Sequence, residues 1–304
     1  METQRKVPRY DSFFGGKYQN IIYEKDGYVA RITLNRPDKR NPLDRAVTLP
    51  EFNDAISMAE WDDNVKVLIL KGAGAAFSAG FDLSEVGFMY GMKEPKPGET
   101  VRRPSLRIKL LQDRYILGET MRHVLFCHKT TIAQIHGYCL GGGLMMAEKC
   151  DIIIGAEDCK IGFVEERLGT GGMTMSPTLI ARVGLTKALE LQVSGKMITG
   201  KEAARINLIN RAVPLNQLET EVDEFAKGVA LYSRDGLACS KVVRQTVYES
   251  LGMGQWFATA YWSHSLMTNM QWEQDEYNFY KERRDQGVTK AAHQKDEFYK
   301  ALDK

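Results

Sequence analysis

Hydrophobic residues in this chain form short β-branched runs separated by longer amphipathic stretches. Residues 28–37, YVARITLNRP, and residues 65–72, VKVLILKG, are runs of the first kind, and both end at turn residues. Residues 44–62, DRAVTLPEFNDAISMAEWD, lie between them and place apolar side chains at helical spacing. The pattern therefore predicts a strand, a helix and a second strand.

The same alternation continues through the middle of the chain. Further strand-like runs occupy residues 130–137, 150–158 and 159–163, with helix-like segments between some of them. Strands that alternate with helices are typical of an α/β fold. From about Pro214 onward the pattern predicts helices alone, so we place a boundary there.

Composition excludes several classes of protein. The 304 residues are 43% hydrophobic and 26% charged, as in ordinary globular proteins. The formal charge of +2 comes from basic and acidic residues mixed along the chain, so no basic stripe for nucleic acid is present. Neither a signal peptide nor an apolar run of ~18 residues is visible, so we expect no export and no membrane span. Five cysteines without a CxxC pair suggest reduced thiols and a cytoplasmic location.

The glycine-rich segments do not fit the familiar nucleotide-binding motifs. Gly72 and Gly74 follow a predicted strand, but Phe77 occupies the third glycine position of a dinucleotide fingerprint. The lysine of a phosphate-binding loop is also absent from this segment. The five histidines have no metal-ligand spacing, and no serine lies in a GxSxG pentapeptide, so we expect neither a metal site nor a serine hydrolase.

Two turns built from small residues offer another kind of chemistry. Ala79 and Gly80 precede Phe81, and three consecutive glycines, Gly141–Gly143, stand where a helix is predicted to begin. Such turns can each present a backbone N–H with no side chain in the way. Two convergent N–H donors form an oxyanion hole, which stabilises negative charge on a carbonyl oxygen.

Four segments, in this order and at these intervals, resemble the crotonase (enoyl-CoA hydratase/isomerase) superfamily. They are LNRPDKRNPLD, GAGAAFSAGFDLSEV, HGYCLGGGLMMAEKCDI and IGFVEERLGT. The resemblance implies a crotonase-type spiral of repeated ββα units over residues 17–213. It further implies a helical region over 214–304 that mediates oligomerisation and covers the active site, and a homotrimer or a dimer of trimers. The implied substrates are coenzyme A thioesters.

Residue by residue, the resemblance assigns the oxyanion hole to the backbone N–H groups of Phe81 and Gly142. The substrate pocket would then include the following neighbours: Ala79, Gly80, Asp82, Gly141, Met145 and Met173. Methionine side chains adapt to irregular shapes, which suggests an acyl group other than a short straight chain. The alternative is that these methionines belong to the hydrophobic core.

The carboxylates depart from the two-glutamate pattern of typical hydratases. Met145 stands where the first glutamate would be, and Glu165 matches the second. Glu166 is a second candidate; in an extended backbone, only one of these two adjacent side chains would face the site. The other interpretation of Glu166 is a surface carboxylate, paired with a neighbour such as Arg167 or solvated. We expect Glu165 to be the catalytic group.

The sequence therefore predicts an enzyme that processes acyl-CoA, as an enoyl-CoA hydratase with one catalytic glutamate. Alternatives are a double-bond isomerase, a hydratase-lyase or ring-opening hydrolase on a cyclic or aromatic acyl-CoA, and a CoA-ester-binding protein without turnover. We expect no cofactor beyond the coenzyme A of the substrate, and no nucleic-acid or membrane partner.

Overall fold

The fold is an α/β arrangement of two β-sheets surrounded by helices. The computed structural model describes residues 10–85, 105–169, 175–257 and 272–303. The larger sheet has six strands in the order β1-β2-β3-β4-β6-β9. Its strands are β1 (Ile21–Asp26), β2 (Val29–Leu34), β3 (Val67–Gly72), β4 (Thr130–Ile135), β6 (Ile152–Ala156) and β9 (Arg211–Val213).

All neighbours in this sheet are parallel except β1 and β2, which form an antiparallel hairpin. A smaller sheet has the order β5-β7-β8. Its strands are β5 (Tyr138–Leu140), β7 (Lys160–Gly162) and β8 (Ile198–Thr199). The predicted run at residues 159–163 is thus a strand, but it belongs to this second sheet rather than to the main one.

Helices cover the sheets and form the C-terminal part of the chain. Their bounds are α1 (Thr48–Trp61), α2 (Leu106–Asp113), α3 (Glu119–Phe126), α4 (Gly142–Ala147), α5 (Pro177–Ser194), α6 (Gly200–Arg205), α7 (Leu218–Ala230), α8 (Arg234–Ser250), α9 (Phe279–Gln286) and α10 (Val288–Phe298). A π-helical turn, Arg114–Gly118, joins α2 to α3. No helix in the described ranges has the length and apolarity that crossing a membrane requires.

The main hydrophobic core lies between the large sheet and the helices packed on it. Strands β3 and β4 are buried almost throughout, as expected for parallel strands covered on both faces. Helix α7 follows the predicted boundary at Pro214, yet its buried residues Leu218, Val222 and Ala226 join the same core as the strands. The first C-terminal helix is therefore packed as part of the α/β layer.

Helices α9 and α10 form a separate packed unit. A second, smaller core joins Phe279 of α9 and Ala291 of α10 to Leu168, with Leu83 packed against it. Arg283 of α9 donates a hydrogen bond from Nη1 to the carbonyl oxygen of Leu83 at 2.7 Å. The C-terminal helix pair thus contacts the two segments that follow Phe81 and Glu165.

Candidate active site

The two small-residue turns predicted from the sequence meet in space. A Cβ atom added to Gly80 would stand 3.3 Å from the amide nitrogen of Gly142 and 2.9 Å from the carbonyl oxygen of Leu140. Gly80 has φ 97°, a left-handed conformation that glycine adopts without strain. The ring of Phe81 packs on Gly142, where an added Cβ would stand 2.7 Å from Cε2 of the ring. Substitution at either glycine would separate the turns.

The orientation of the Phe81 amide follows from a parallel bridge between Leu43 and Phe81. Leu43 donates to the carbonyl oxygen of Gly80 at 2.8 Å and accepts from the N–H of Asp82 at 3.0 Å. In such a bridge, the N–H of the central residue points away from its partner. The N–H of Phe81 is therefore directed away from Leu43.

The N–H of Gly142 is available for a different reason. Gly142 is the first residue of α4, so its N–H has no acceptor within the helix. Among the described residues, neither this group nor the N–H of Phe81 donates to a backbone acceptor. Within the described part of the chain, two backbone donors in adjoining turns are thus left without backbone acceptors, as the predicted oxyanion hole requires.

The carboxyl group of Glu165 lies against the same glycine turn. A Cβ atom on Gly141 would stand 2.5 Å from Oε1 of Glu165. Gly141 has φ 49° and ψ −121°, a combination that residues with a Cβ rarely adopt. Glycine at this position thus serves both the backbone conformation and the close approach of the carboxylate to residue 141.

Burial changes the acidity of Glu165. The residue is partly exposed as a whole, but its carboxylate oxygen Oε2 is buried. Burial raises the pKa of Glu165 to about 7, and the neighbouring charge of Glu166 adds to this increase. Backbone N–H groups and Lys295 act in the opposite direction. A carboxyl group with this pKa can both accept and return a proton near neutral pH.

Glu165 and Glu166 do not lie on an extended strand. Residues Glu165–Leu168 form a 3-10 helix that ends at Gly169, so the argument from alternating strand faces does not apply to this pair. A helical turn separates adjacent side chains by about a third of a turn. Both glutamates are half-buried, and the structure places the carboxyl group of Glu165 against Gly141.

The other predicted pocket residues have varied environments. Met145 is 8% exposed and belongs to the hydrophobic core, and it stands on α4 three residues after Gly142. Ala79 is half-buried and donates its N–H to the carbonyl oxygen of Arg40 at 2.9 Å. Asp82 pairs with Arg36 at 3.1 Å and accepts hydrogen bonds from Ser84, so it stabilises the turn after Phe81. Met173 lies outside the described residues.

Sequence reasoning missed one residue that organises this site, Asn41. Its side chain is 1% exposed and donates from Nδ2 to the carbonyl oxygens of Ala73 and Ala76, at 2.8 and 2.7 Å. Its carbonyl oxygen accepts from Oγ of Ser78 at 2.8 Å. These hydrogen bonds connect the segment that contains Asn41 to residues 73–78, which lead to Phe81. The φ of 52° at Asn41 lies in the left-handed region, which asparagine tolerates, but its hydrogen-bond partners lie too far along the chain for a local sequence pattern to indicate them.

A groove of about 1040 Å³ lies elsewhere, between α1, α3 and α8. Its wall includes Glu60, whose two carboxylate oxygens contact His123 at 2.9 Å and His128 at 3.0 Å. Burial acts to raise the pKa of Glu60, but these histidines lower it to about 2. None of the predicted site residues lines this groove, so its size is no guide to the chemistry at Glu165.

The chain is similar to known proteins over most of its length. A family model described as enoyl-CoA hydratase/isomerase matches residues 24–288. A Dictyostelium discoideum protein named as a probable mitochondrial enoyl-CoA hydratase is 34% identical over 239 residues, which are 78% of this chain and 79% of the relative. The hydroxycinnamoyl-CoA hydratase-lyase of Pseudomonas fluorescens is 31% identical over 72% of this chain and 75% of its own.

Solved structures have the same fold. An enoyl-CoA hydratase/isomerase from Xanthobacter autotrophicus Py2 superposes with a TM-score of 0.77 at 29% identity. The superposition covers 92% of this chain and 98% of the other. The same fold therefore extends over nearly the whole length of both proteins.

Proposed function

Because the chain belongs to the enoyl-CoA hydratase/isomerase family, we propose that it adds water to the double bond of an enoyl-CoA thioester. One observation supports this most strongly: the carboxyl group of Glu165 lies against Gly141, which directly precedes the proposed donor Gly142, and the turn of Gly142 adjoins the turn that leads to Phe81. If the carbonyl oxygen of the thioester binds between these donors, the α and β carbons of the acyl group would lie next to the carboxylate of Glu165. The arrangement supplies an electrophile-activating group and a base in a single site.

The backbone donors stabilise the intermediate. When a nucleophile adds at the β carbon, electrons move through the double bond onto the thioester oxygen, which becomes an enolate oxygen. The N–H groups of Phe81 and Gly142 donate hydrogen bonds to that developing charge. Donors held in place by the fold need no reorganisation during the reaction, which is the main source of such stabilisation.

Glu165 carries the proton in both halves of the reaction. Its carboxylate removes one proton from water while the water oxygen bonds to the β carbon. The resulting carboxylic acid then returns that proton to the α carbon, and the enolate collapses to the thioester. One oxygen and two hydrogens of water are thereby added, and Glu165 ends ionised as it began. Its pKa of about 7 suits a group that must both take and give a proton.

Met145 is the reason that we propose one catalytic carboxylate rather than two. It stands where two-glutamate hydratases carry their other acid, and it cannot exchange protons. A double-bond isomerase is the second candidate, because one base suffices to remove a proton at one carbon and return it at another. The names of the relatives, a hydratase and a hydratase-lyase, favour water as a reactant.

A panel of enoyl-CoA esters incubated in heavy-oxygen water and followed by mass spectrometry tests the proposal. We expect a product heavier than the substrate by one labelled water. An isomeric product of unchanged mass would replace hydration by isomerisation. An aldehyde with the loss of acetyl-CoA would indicate a hydratase-lyase, and no change with any ester would favour a CoA-ester-binding protein.

We propose no cofactor beyond the coenzyme A of the substrate, and a cytoplasmic location stays a prediction from cysteine usage.

Assembly into trimers or pairs of trimers is also a proposal. Helix α8 supports it, since its apolar residues Val242, Val243 and Val247 are more than half exposed in a single chain. A mass near 34.4 kDa in light scattering at micromolar concentration would contradict assembly.

A further inference from the structure

The smaller hydrophobic core joins the C-terminal helices to both halves of the candidate active site. Leu168, in the 3-10 turn that begins with Glu165, packs in this core with one buried residue of α9 and one of α10. Leu83, two residues after Phe81, packs against the same cluster. The helix pair therefore contacts the donor-bearing segment and the base-bearing turn at once. Apolar contacts alone are non-directional, so they do not fix the orientation of a peptide group.

One polar contact between the helix pair and the donor-bearing segment is directional. Arg283 of α9 is only 6% exposed, and its Nη1 atom donates to the carbonyl oxygen of Leu83 at 2.7 Å. Among the described residues, no backbone N–H donates to that oxygen. A guanidinium group presents its donors in a rigid plane, and a charged donor makes a stronger hydrogen bond than a neutral one. Arg283 thus holds the Leu83 peptide group at a defined distance from α9.

The side chain of Arg283 is itself held by aromatic packing. Its guanidinium carbon lies 5.7 Å from the centre of the Tyr280 ring, and that ring meets Trp272 edge-on at 5.3 Å between centres. A Cβ atom on Gly169, which ends the turn that carries Glu165, would stand 2.8 Å from Nε1 of Trp272. Contacts therefore run without a break from Arg283 to the base-bearing turn.

We propose that Arg283 is a positioning residue that holds the N–H of Phe81 in place for the thioester oxygen. The proposal rests on the proposed role of that N–H as an oxyanion donor. The bridge to Leu43 fixes the peptide groups on either side of Phe81, and Arg283 fixes the carbonyl group of Leu83. Donors stabilise a developing oxyanion when the fold holds them in place beforehand, and a displacement of about 1 Å can cost about 10²-fold in rate.

The kinetic constants of Arg283→Met are the first test. An oxyanion donor acts mainly on the transition state, so kcat should fall by about 10–10²-fold while KM changes by less than about threefold. Arg283→Lys keeps a charged donor and should recover much of the lost rate. Arg284→Met is the matched control, because it neutralises the next arginine of α9, which is exposed, and should leave both constants unchanged.

An infrared signature separates positioning from stability. Hydrogen bonds to a thioester carbonyl lower its stretching frequency, so cinnamoyl-CoA labelled with carbon-13 at that carbonyl reports directly on the oxyanion donors. In Glu165→Gln, which should bind the ester with little turnover, the labelled band should lie below that of the ester in water. Adding Arg283→Met should reverse much of this shift, whereas adding Arg284→Met should not.

Each other outcome has a definite meaning. If Arg283→Met keeps the band and the kcat of its parent, even with a lower urea midpoint, Arg283 is structural and the proposal is overturned. Failure of both Arg283→Met and Arg283→Gln to fold would overturn it equally. If the bound ester shows no lowered band in Glu165→Gln, the oxyanion assignment and this proposal are both wrong. A shift that depends on Arg283 in a protein that hydrates no acyl-CoA would refute the proposed function alone.

Discussion

Oε1 of Glu165 lies so close to Gly141 that a Cβ atom on that glycine would stand 2.5 Å from it. This contact joins the turn that bears the proposed base to the turn that bears Gly142, a proposed oxyanion donor. The distance between base and donor is therefore set by a glycine, and any side chain at residue 141 must change it.

Gly141→Ala should lower kcat/KM by at least about 10²-fold, because a small displacement of a catalytic group is costly. The φ and ψ of Gly141 also strain any residue with a Cβ, at a cost of about 1–3 kcal/mol. Gly228→Ala is a suitable control, since nothing lies within 4 Å of a Cβ there and the residue is inside α7. Steady-state kinetics on the folded variants would make the comparison, and full activity in Gly141→Ala would disprove the contact.

Much of this arrangement could be predicted from the sequence. Strands β2, β3, β4 and β6 are apolar runs that hydropathy identifies, and the glycine turns follow from local chemistry. The sequence pattern did not predict strand β1, because β1 is an edge strand, IIYEKD, whose residues are mostly exposed. Strands β8 and β9 have only two and three residues, too few for any periodicity to appear.

The residues that hold the site together were harder to predict. The hydrogen bonds of Asn41 reach residues 32 and 35 positions away in the chain, and no local pattern encodes them. The packing of Ala291 against Leu168, in the turn that begins with Glu165, likewise depends on how the C-terminal helices fold back. Sequence patterns thus indicate which groups do chemistry, whereas long-range packing decides which groups support them.

Asn41→Ala should destabilise the protein by about 2–4 kcal/mol, because it leaves the buried carbonyl group of Ala76 and the partly buried carbonyl group of Ala73 without their donor. Activity should fall as well, since the loop they belong to leads directly to Phe81. Urea unfolding of Asn41→Ala beside Asn64→Ala, an exposed asparagine, would measure the difference. Equal midpoints for the two variants would show that Asn41 does not organise the loop.

A buried ion pair at the end of α4 should be important for stability. Lys149 and Glu148 are 2.5 Å apart and almost fully buried, and Ser176 and Thr178 donate to the same carboxylate oxygen. Lys149→Met leaves a buried carboxylate without its cation, so we expect a loss of about 3–5 kcal/mol. Lys187→Met breaks a surface pair with Glu190 and should cost less than about 1 kcal/mol. Similar losses in urea unfolding would contradict this difference.

The rate should depend on pH through Glu165. Because burial raises the pKa of Glu165 to about 7, kcat/KM should rise as pH increases through 7 and level off above it. The same shift affects stability with the opposite sign. The folded state holds a proton that the unfolded state releases at lower pH, so this contribution to folding decreases as pH rises through 7. A pH–rate profile flat between pH 5 and 8 would exclude Glu165 as the base.

The most direct test of the central claim compares kcat/KM of Glu165→Gln and Glu166→Gln on the enoyl-CoA that the wild type hydrates best. Both substitutions keep side-chain size and remove one carboxylate. We predict a loss of about 10²–10⁴-fold for Glu165→Gln, the usual contribution of a general acid–base, with binding of the CoA ester little changed. Glu166→Gln should lose less than about tenfold. An active Glu165→Gln together with a nearly inactive Glu166→Gln would contradict the account and transfer the role of the base to Glu166.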